Sequence, residues 1–222
     1  MAPTYFRREP GIELSDGFCG SALISVEMID AGDIQEQKAA IRAAALAQRD
    51  AMPADQRAAA AEAIAAREFP IAITPGVIVS GFMPMRTEIN PLPLMKKLAG
   101  AGAQLALPAI KGRGHPLIMR MYAFGDDLAR GQWGIREPKP EAPEVAPDIV
   151  IVPLAAFDRT GNRIGYGAGY YDMTLAALRA KKKVTAVGLA FAAQEMPQVP
   201  TDERDERLDL VLTEREVIDL RG

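Results

Sequence analysis

The chain has 222 residues, with 26 Lys plus Arg against 29 Asp plus Glu and a formal charge of −3 at pH 7, a balance that argues against a general nucleic-acid binder. At ~150 residues per domain the length allows one large or two small domains, and 49% hydrophobic with 25% charged residues suits a globular protein with a sizeable core. One His (His115) and one Cys (Cys19) exclude disulfide frameworks, cysteine–histidine zinc sites and two-histidine metal centres, so any enzyme here works with Lys, Arg, Asp, Glu, Tyr and backbone amides.

Residues 1–33 mix Pro, Gly and isolated charges, with only Ser21–Met28 resembling a strand, and read as an extension: a loose arm or one edge strand. Arg7 and Arg8 are followed by Glu9, Glu13 and Asp16 rather than by a leader's apolar stretch, and no apolar run nears the ~20 residues of a bilayer span. The expectation is a cytoplasmic protein with no membrane partner. From Ile34 the chain is Ala-rich with interspersed Lys, Arg, Glu and Gln, which predicts helices near 34–51 and 54–68 broken at Met52-Pro53.

Gly76–Phe82 then reads as a short buried strand, Pro91–Ala101 as a helix, and Ala103–Leu107 and Leu117–Tyr122 as strands around a glycine-rich turn. Gly125–Pro147 is long, polar and Pro-rich, and is expected to be a functional loop. Asp148–Val152 is the clearest buried strand; Gly169–Ala180 is a helix, and Val184–Leu189 and Leu208–Leu212 are further strands. Short apolar strands alternating with helices predict an α/β fold, an open three-layer, mostly parallel sheet with helices on both faces. With no repeat or low-complexity linker, residues 34–222 are expected to form a single domain.

In such sheets ligands bind on loops at the carboxyl ends of strands. The most informative loop, Pro153–Asp172, closes on Arg163-Ile-Gly165-Tyr166-Gly167-Ala168-Gly169-Tyr170-Tyr171-Asp172. Glycines before a helix let backbone approach an anion closely, Arg163 adds a bidentate phosphate donor, and Asp172 in the first turn suits either the helix dipole or Mg²⁺. The GxGxG spacing is neither a Walker A nor a dinucleotide fingerprint, so plain turn chemistry stands beside phosphate binding. Lys38 and Arg42, four apart, share a helix face that is either solvated or ligand-facing. Glu88 is either a carboxylate at a helix start or a reader of a heterocycle's N–H groups. Trp133 is either a core plug or a stacking surface, one Asp of the 202–209 run could reach a metal, and His115 reads as a surface residue.

Taken together, Lys38-x-x-Ile41-Arg42, Met83-Pro84-x-Arg86-x-Glu88-Ile89, Leu107-Pro108 and Trp133-Gly134-Ile135-x-Glu137-Pro138 stand in one order along the chain. The 153–172 loop, Val187-Gly188-Leu189-Ala190-Phe191-x-x-Gln194, Val199-Pro200 and Asp205-x-x-Leu208-Asp209 follow. Over about residues 34–213 this series resembles the 5-formyltetrahydrofolate cyclo-ligase (methenyltetrahydrofolate synthetase) family. The resemblance implies a fold akin to the sugar-phosphate isomerase and CoA-transferase group. It implies ATP- and Mg²⁺-dependent conversion of 5-formyltetrahydrofolate into 5,10-methenyltetrahydrofolate, ADP and phosphate through a phosphorylated formyl group.

Carried over by position, Lys38, Arg42, Arg163 and Tyr170 would be catalytic. Lys38, Arg42 and Arg163, with Gly165, Tyr166, Gly167, Ala168, Gly169, Tyr170 and Tyr171, would contact ATP, and Asp172 and Asp205 would hold Mg²⁺. Met83, Glu88 and Trp133 would contact the folate, with Tyr166, Gly167, Ala168, Gly169 and Tyr170 near both ligands. A monomer or weak homodimer is expected. The chain departs from the family's pattern at Phe82-Met83, Ala168, Met173 and Arg204; the last sets a cation beside the metal carboxylates unless its side chain turns to solvent. These departures motivate the alternative of a non-catalytic folate- or nucleotide-binding paralogue.

Overall fold

The Ala-rich stretch forms α1 (Ile34–Asp50), with Glu36 in its first turn and Arg49 in its last, both complementing the helix dipole. Pro53 stands at the N-cap of α2 (Ala54–Ala66), where a missing N–H costs nothing. These elements come from a computed structural model that describes residues 34–221. The expected extension 1–33, with Ser21–Met28, lies outside the described residues, as does Gly222.

The chain continues through β1 (Ile78–Ser80), α3 (Leu92–Gly100), β2 (Gln104–Ala109), β3 (Ile118–Tyr122), β4 (Leu128–Arg130) and β5 (Arg136–Pro138). After these come β6 (Ile149–Pro153), β7 (Ala156–Phe157), β8 (Arg163–Ile164), α4 (Tyr170–Arg179), β9 (Thr185–Leu189), β10 (Leu210–Leu212) and β11 (Val217–Asp219). Seven strands make one sheet in the order β11-β10-β9-β6-β1-β2-β3. The pairs from β10 to β2 are parallel, and β11 and β3 close the edges antiparallel. The expected mostly parallel α/β sheet is therefore the observed one.

Alternating side chains split the core in two. Val79, Ile149, Ile151 and Val187 pack with Ile64 of α2 and Leu94 and Leu98 of α3 on one face. Val150, Val152 and Ala186 pack with Leu175 of α4 on the other. Both faces of β6 are closed, so its run is apolar without alternation, and each fully buried Val or Ile contributes roughly 1.5–3 kcal/mol. A third cluster seats α1, through Ile41, Ala45 and Leu46, on Ala155, Ala156 and Ile164 of the β7–β8 hairpin.

Two segments differ from expectation. Gly125–Pro147 holds the antiparallel β4–β5 hairpin and a one-turn 3₁₀ helix at Gln132–Gly134, rather than being irregular throughout. Three-residue strands containing Arg, Glu and Pro carry too little apolar period to show in a sequence. The short antiparallel edge β11 escaped for the same reason. Among the described residues, no helix is long and apolar enough to cross a membrane.

Candidate active site

From β1 the chain turns one way to β2 and β3, then returns to β6, β9 and β10 on the other side. The order thus reverses between β1 and β6, the crevice where open α/β sheets bind ligands. The loops that follow β1, β6 and β9, three adjacent strands, carry Glu88, the glycine-rich stretch and the Asp202–Asp205 turn.

The loop after β6 is held open by its own chemistry. The buried Asp158 carboxylate accepts bonds from the Thr160 and Asn162 backbone (2.8 and 3.1 Å), from both their side chains, and from Val199 N–H at 2.9 Å. Burial pushes Asp158 up, but these donors, Thr160 and Val199 foremost, outweigh it and hold the group below the usual carboxylate range. Gly161, at φ +89°, is required at the tip: a Cβ would lie 2.7 Å from the Leu208 carbonyl oxygen. Gln194 pins the loop's start from the other side, donating to the Leu154 and Ala155 carbonyls at 2.8 and 2.9 Å.

Three expected residues, Arg42, Arg163 and Asp172, meet on this loop, and a fourth, Lys38, is held by the Asp202–Asp205 turn beside it. Arg42 Nε donates to the Gly165 carbonyl at 2.7 Å, and its guanidinium lies where a Cβ on Gly167 would meet it at 3.5 Å. Arg163, 4% exposed, donates to Asp172 Oδ1 at 2.8 Å, while its Nε has no partner among the described residues. Lys38, 6% exposed, donates to Asp202 Oδ2 at 3.0 Å and to Asp205 Oδ2. Burial alone would lower the Lys38 ammonium, but its bonds to Asp205 and Asp202 outweigh that and raise it. Lys38 and Arg42 are thus tied to other parts of the chain rather than forming a freely solvated face.

Asp172 Oδ1 also accepts the Glu206 N–H at 3.1 Å, which brings it beside Asp205. Asp172 Oδ2 and Asp205 Oδ1 accept no hydrogen bond among the described residues. No group of three or more acidic, His or Cys ligands is present among the described residues. Arg204 turns to solvent: its side chain is 82% exposed and lies on Asp202 at 3.3 Å. The Arg204 backbone N–H, Lys38 and the Arg204 side chain hold Asp202 far below the usual carboxylate range. Ala168 is exposed and not at positive φ, so its Cβ strains nothing.

On the adjoining side Glu88, 9% exposed, accepts the Met85 N–H at 2.6 Å and faces the Tyr166 hydroxyl. It does not cap α3, whose first turn is served by Asn90. Burial pushes Glu88 up, with Tyr166, the Met85 N–H and Arg49 pulling back only in part. Burial and the Glu88 charge push the Tyr166 phenol up. Burial likewise raises Tyr171.

Trp133 is 63% exposed, which removes the core-plug reading, and it tilts against Tyr170 with ring centroids 6.1 Å apart. Tyr170 is buried, and its hydroxyl has no partner among the described residues. Met83 is half-buried against the first core cluster and has no polar tie to Glu88. His115 is exposed, as expected. Sequence reading missed Arg49 and Asp202, both bonded directly to the expected site. The signal for Arg49 was available: positions 38, 42 and 49 recur at helical spacing on one face of α1.

A model of the 5-formyltetrahydrofolate cyclo-ligase family matches residues 34–214. The chain belongs to that family. The cyclo-ligase of Escherichia coli K12 is 33% identical over 148 residues, 63% of this chain and 79% of the relative. That of Mycolicibacterium smegmatis is 32% identical over 193 residues, covering 83% and 97%. The NMR structure of Aquifex aeolicus 5,10-methenyltetrahydrofolate synthetase superimposes with a TM-score of 0.69 at 28% identity, over 83% of this chain and 93% of that one. The Mycoplasma pneumoniae synthetase, at 20% identity and TM-score 0.61 over 80% and 98%, shares the fold. The resemblance read from the motifs is thus the chain's family. Cyclo-ligases are enzymes that form a bond at the expense of ATP, so catalysis and ATP use come with membership.

Proposed function

We propose that this cyclo-ligase closes 5-formyltetrahydrofolate to 5,10-methenyltetrahydrofolate, releasing ADP and phosphate, with residues 34–222 as the one catalytic domain. One observation carries the reading: Arg42, Arg163 and Asp172 meet on a glycine-rich loop, beside the Asp202–Asp205 turn that holds Lys38 and across the sheet's switch point from the buried Glu88.

A formamide oxygen is a poor leaving group. On this reading the formyl oxygen attacks the γ-phosphorus of ATP, the bond to the bridging oxygen breaks and ADP leaves. The folate's N10 lone pair then adds to the activated formyl carbon, the C–O bond breaks with release of phosphate, and N10 loses its proton as the ring closes. Such transfer needs positioning and charge neutralisation more than an acid or base. Lys38, Arg42 and Arg163 supply cations, and the turn before α4 supplies amides. This suits a chain with one exposed His. Glu88 is suited to accept N–H bonds from a pterin, which a ring lacking those donors could not return. Trp133 beside Tyr170 would offer the folate an aromatic surface.

Mg²⁺ fits the residues present, because Asp172 Oδ2 and Asp205 Oδ1 are uncommitted and this ion commonly takes one or two carboxylates plus phosphates and water. Asp172 and Asp205 would hold it, and bound there it would neutralise phosphate charge. Mixing the protein with 5-formyltetrahydrofolate, ATP and Mg²⁺ should generate the methenyl chromophore with one ADP per product, and none without ATP. Folded protein giving no chromophore at any Mg²⁺ concentration would overturn the proposal and favour a binding paralogue.

A further inference from the structure

Arg49 sits at the last turn of α1, is 3% exposed, and has no part in the chemistry above. Its Nη1 donates to the Tyr166 hydroxyl, its Nε to Thr87 Oγ1 at 3.1 Å, and its guanidinium carbon lies 5.7 Å from the Tyr166 ring centroid. Thr87 in turn donates to Asp50 Oδ1, and Asp50 is 4.0 Å from Arg49 Nε. Thr87 immediately precedes Glu88, and the Tyr166 hydroxyl that Arg49 holds faces Glu88. Tyr166 is flanked by Gly165 and Gly167, so the loop itself offers no neighbouring side chain to orient the phenol. A buried cation here is costly unless it is used, because burial strips its water.

We infer that Arg49 is a positioning residue that fixes the two walls of the folate pocket, the Thr87-Glu88 turn and the Tyr166 loop, in mutual register. The inference rests on the proposed function and deepens it: Arg49 acts on the folate through Tyr166 and Glu88 and touches no reacting atom. The planar guanidinium is needed because two acceptors on different loops are held by two different nitrogens, a fork that a single ammonium cannot reproduce. Among the described residues, the charged or titratable groups facing Glu88 are Arg49 from α1, Tyr166 from the loop and Tyr171 from α4. Arg49 is the one cation among them. Lys38 and Arg42 lie on the same face of the same helix, so α1 ties the nucleotide side of the site to the folate side.

The test is a double-mutant cycle on binding of 5-formyltetrahydrofolate in the absence of ATP, read by calorimetry. Arg49→Met and Tyr166→Phe should each weaken binding roughly 10- to 100-fold, as expected for a lost hydrogen bond to a charged group, and the double variant should be no worse than the weaker single one. Arg49→Lys should recover part of the loss. In turnover, the KM for the folate should rise while the KM for ATP stays within about twofold. Losses that multiply in the double variant, or an equal loss of affinity for ADP, would overturn the inference while leaving the proposed function standing. Tyr166→Phe, a partly exposed site, keeps the test decisive if Arg49→Met fails to fold. Wild-type protein that does not bind the folate would overturn the proposed function and this inference with it.

Discussion

Arg163→Met is expected to leave a folded protein whose rate of methenyl formation is lower by about 10²- to 10³-fold, the usual cost of deleting a preorganised donor to developing charge. The side chain is 3% exposed, anchored to Asp172 of α4 through one nitrogen and left with an Nε that is unbonded among the described residues. A donor so enclosed acts in a low dielectric and costs no reorganisation when phosphate charge moves. Removing it also strands Asp172, but that carboxylate is 21% exposed and keeps the Glu206 N–H. The stability loss should therefore fall below the ~3–5 kcal/mol of a fully buried broken pair. Urea melts separate the two effects, and Arg163→Met/Asp172→Asn should recover stability without recovering rate. A variant with full turnover would remove Arg163 from the phosphate's surroundings.

Glu88→Gln should raise the KM for 5-formyltetrahydrofolate by roughly 10²-fold or more and leave the KM for ATP unchanged, because an amide turns a donor toward the pterin's own donors. Because burial pushes the Glu88 carboxyl up, wild-type kcat/KM for the folate should fall as pH drops through a value above the ordinary carboxylate range. That limb should be absent from Glu88→Gln. For stability the sign is opposite: the folded protein binds this proton more tightly than the unfolded chain. The ionised carboxylate costs stability above its folded value, and protonation relieves that cost as pH falls through it. Glu88→Gln should thus be no less stable than wild type at neutral pH, a trade of stability for recognition. Unchanged folate KM would return Glu88 to a purely local role beside Met85.

The sheet was legible because its strands are buried on both faces, so Ile149–Val152 stands out as an uninterrupted apolar run and Val184–Leu189 as one broken among its side chains only by Thr185. The glycine-rich loop was legible because its composition has few other uses. Arg49 was not, since an Arg on an Ala-rich helix reads equally well as solvated. What buries it comes from Thr87 and Tyr166, 38 and 117 residues away. Asp202 was hidden in an acidic run, because its contact with Lys38 spans 164 residues of sequence. Trp133 could not be assigned until its positive φ of 57° and its exposure showed a ring lifted off the core. Arg204 looked like a cation in the metal site, yet its own neighbour Asp202 draws it outward.

The route through a phosphorylated formyl group is tested most directly by the fate of the formyl oxygen. With ¹⁸O in the formyl carbonyl of 5-formyltetrahydrofolate, turnover with ATP and Mg²⁺ should place the label in the released inorganic phosphate, one atom per methenyl product. Label appearing in water, with unlabelled phosphate, would contradict phosphoryl transfer to that oxygen.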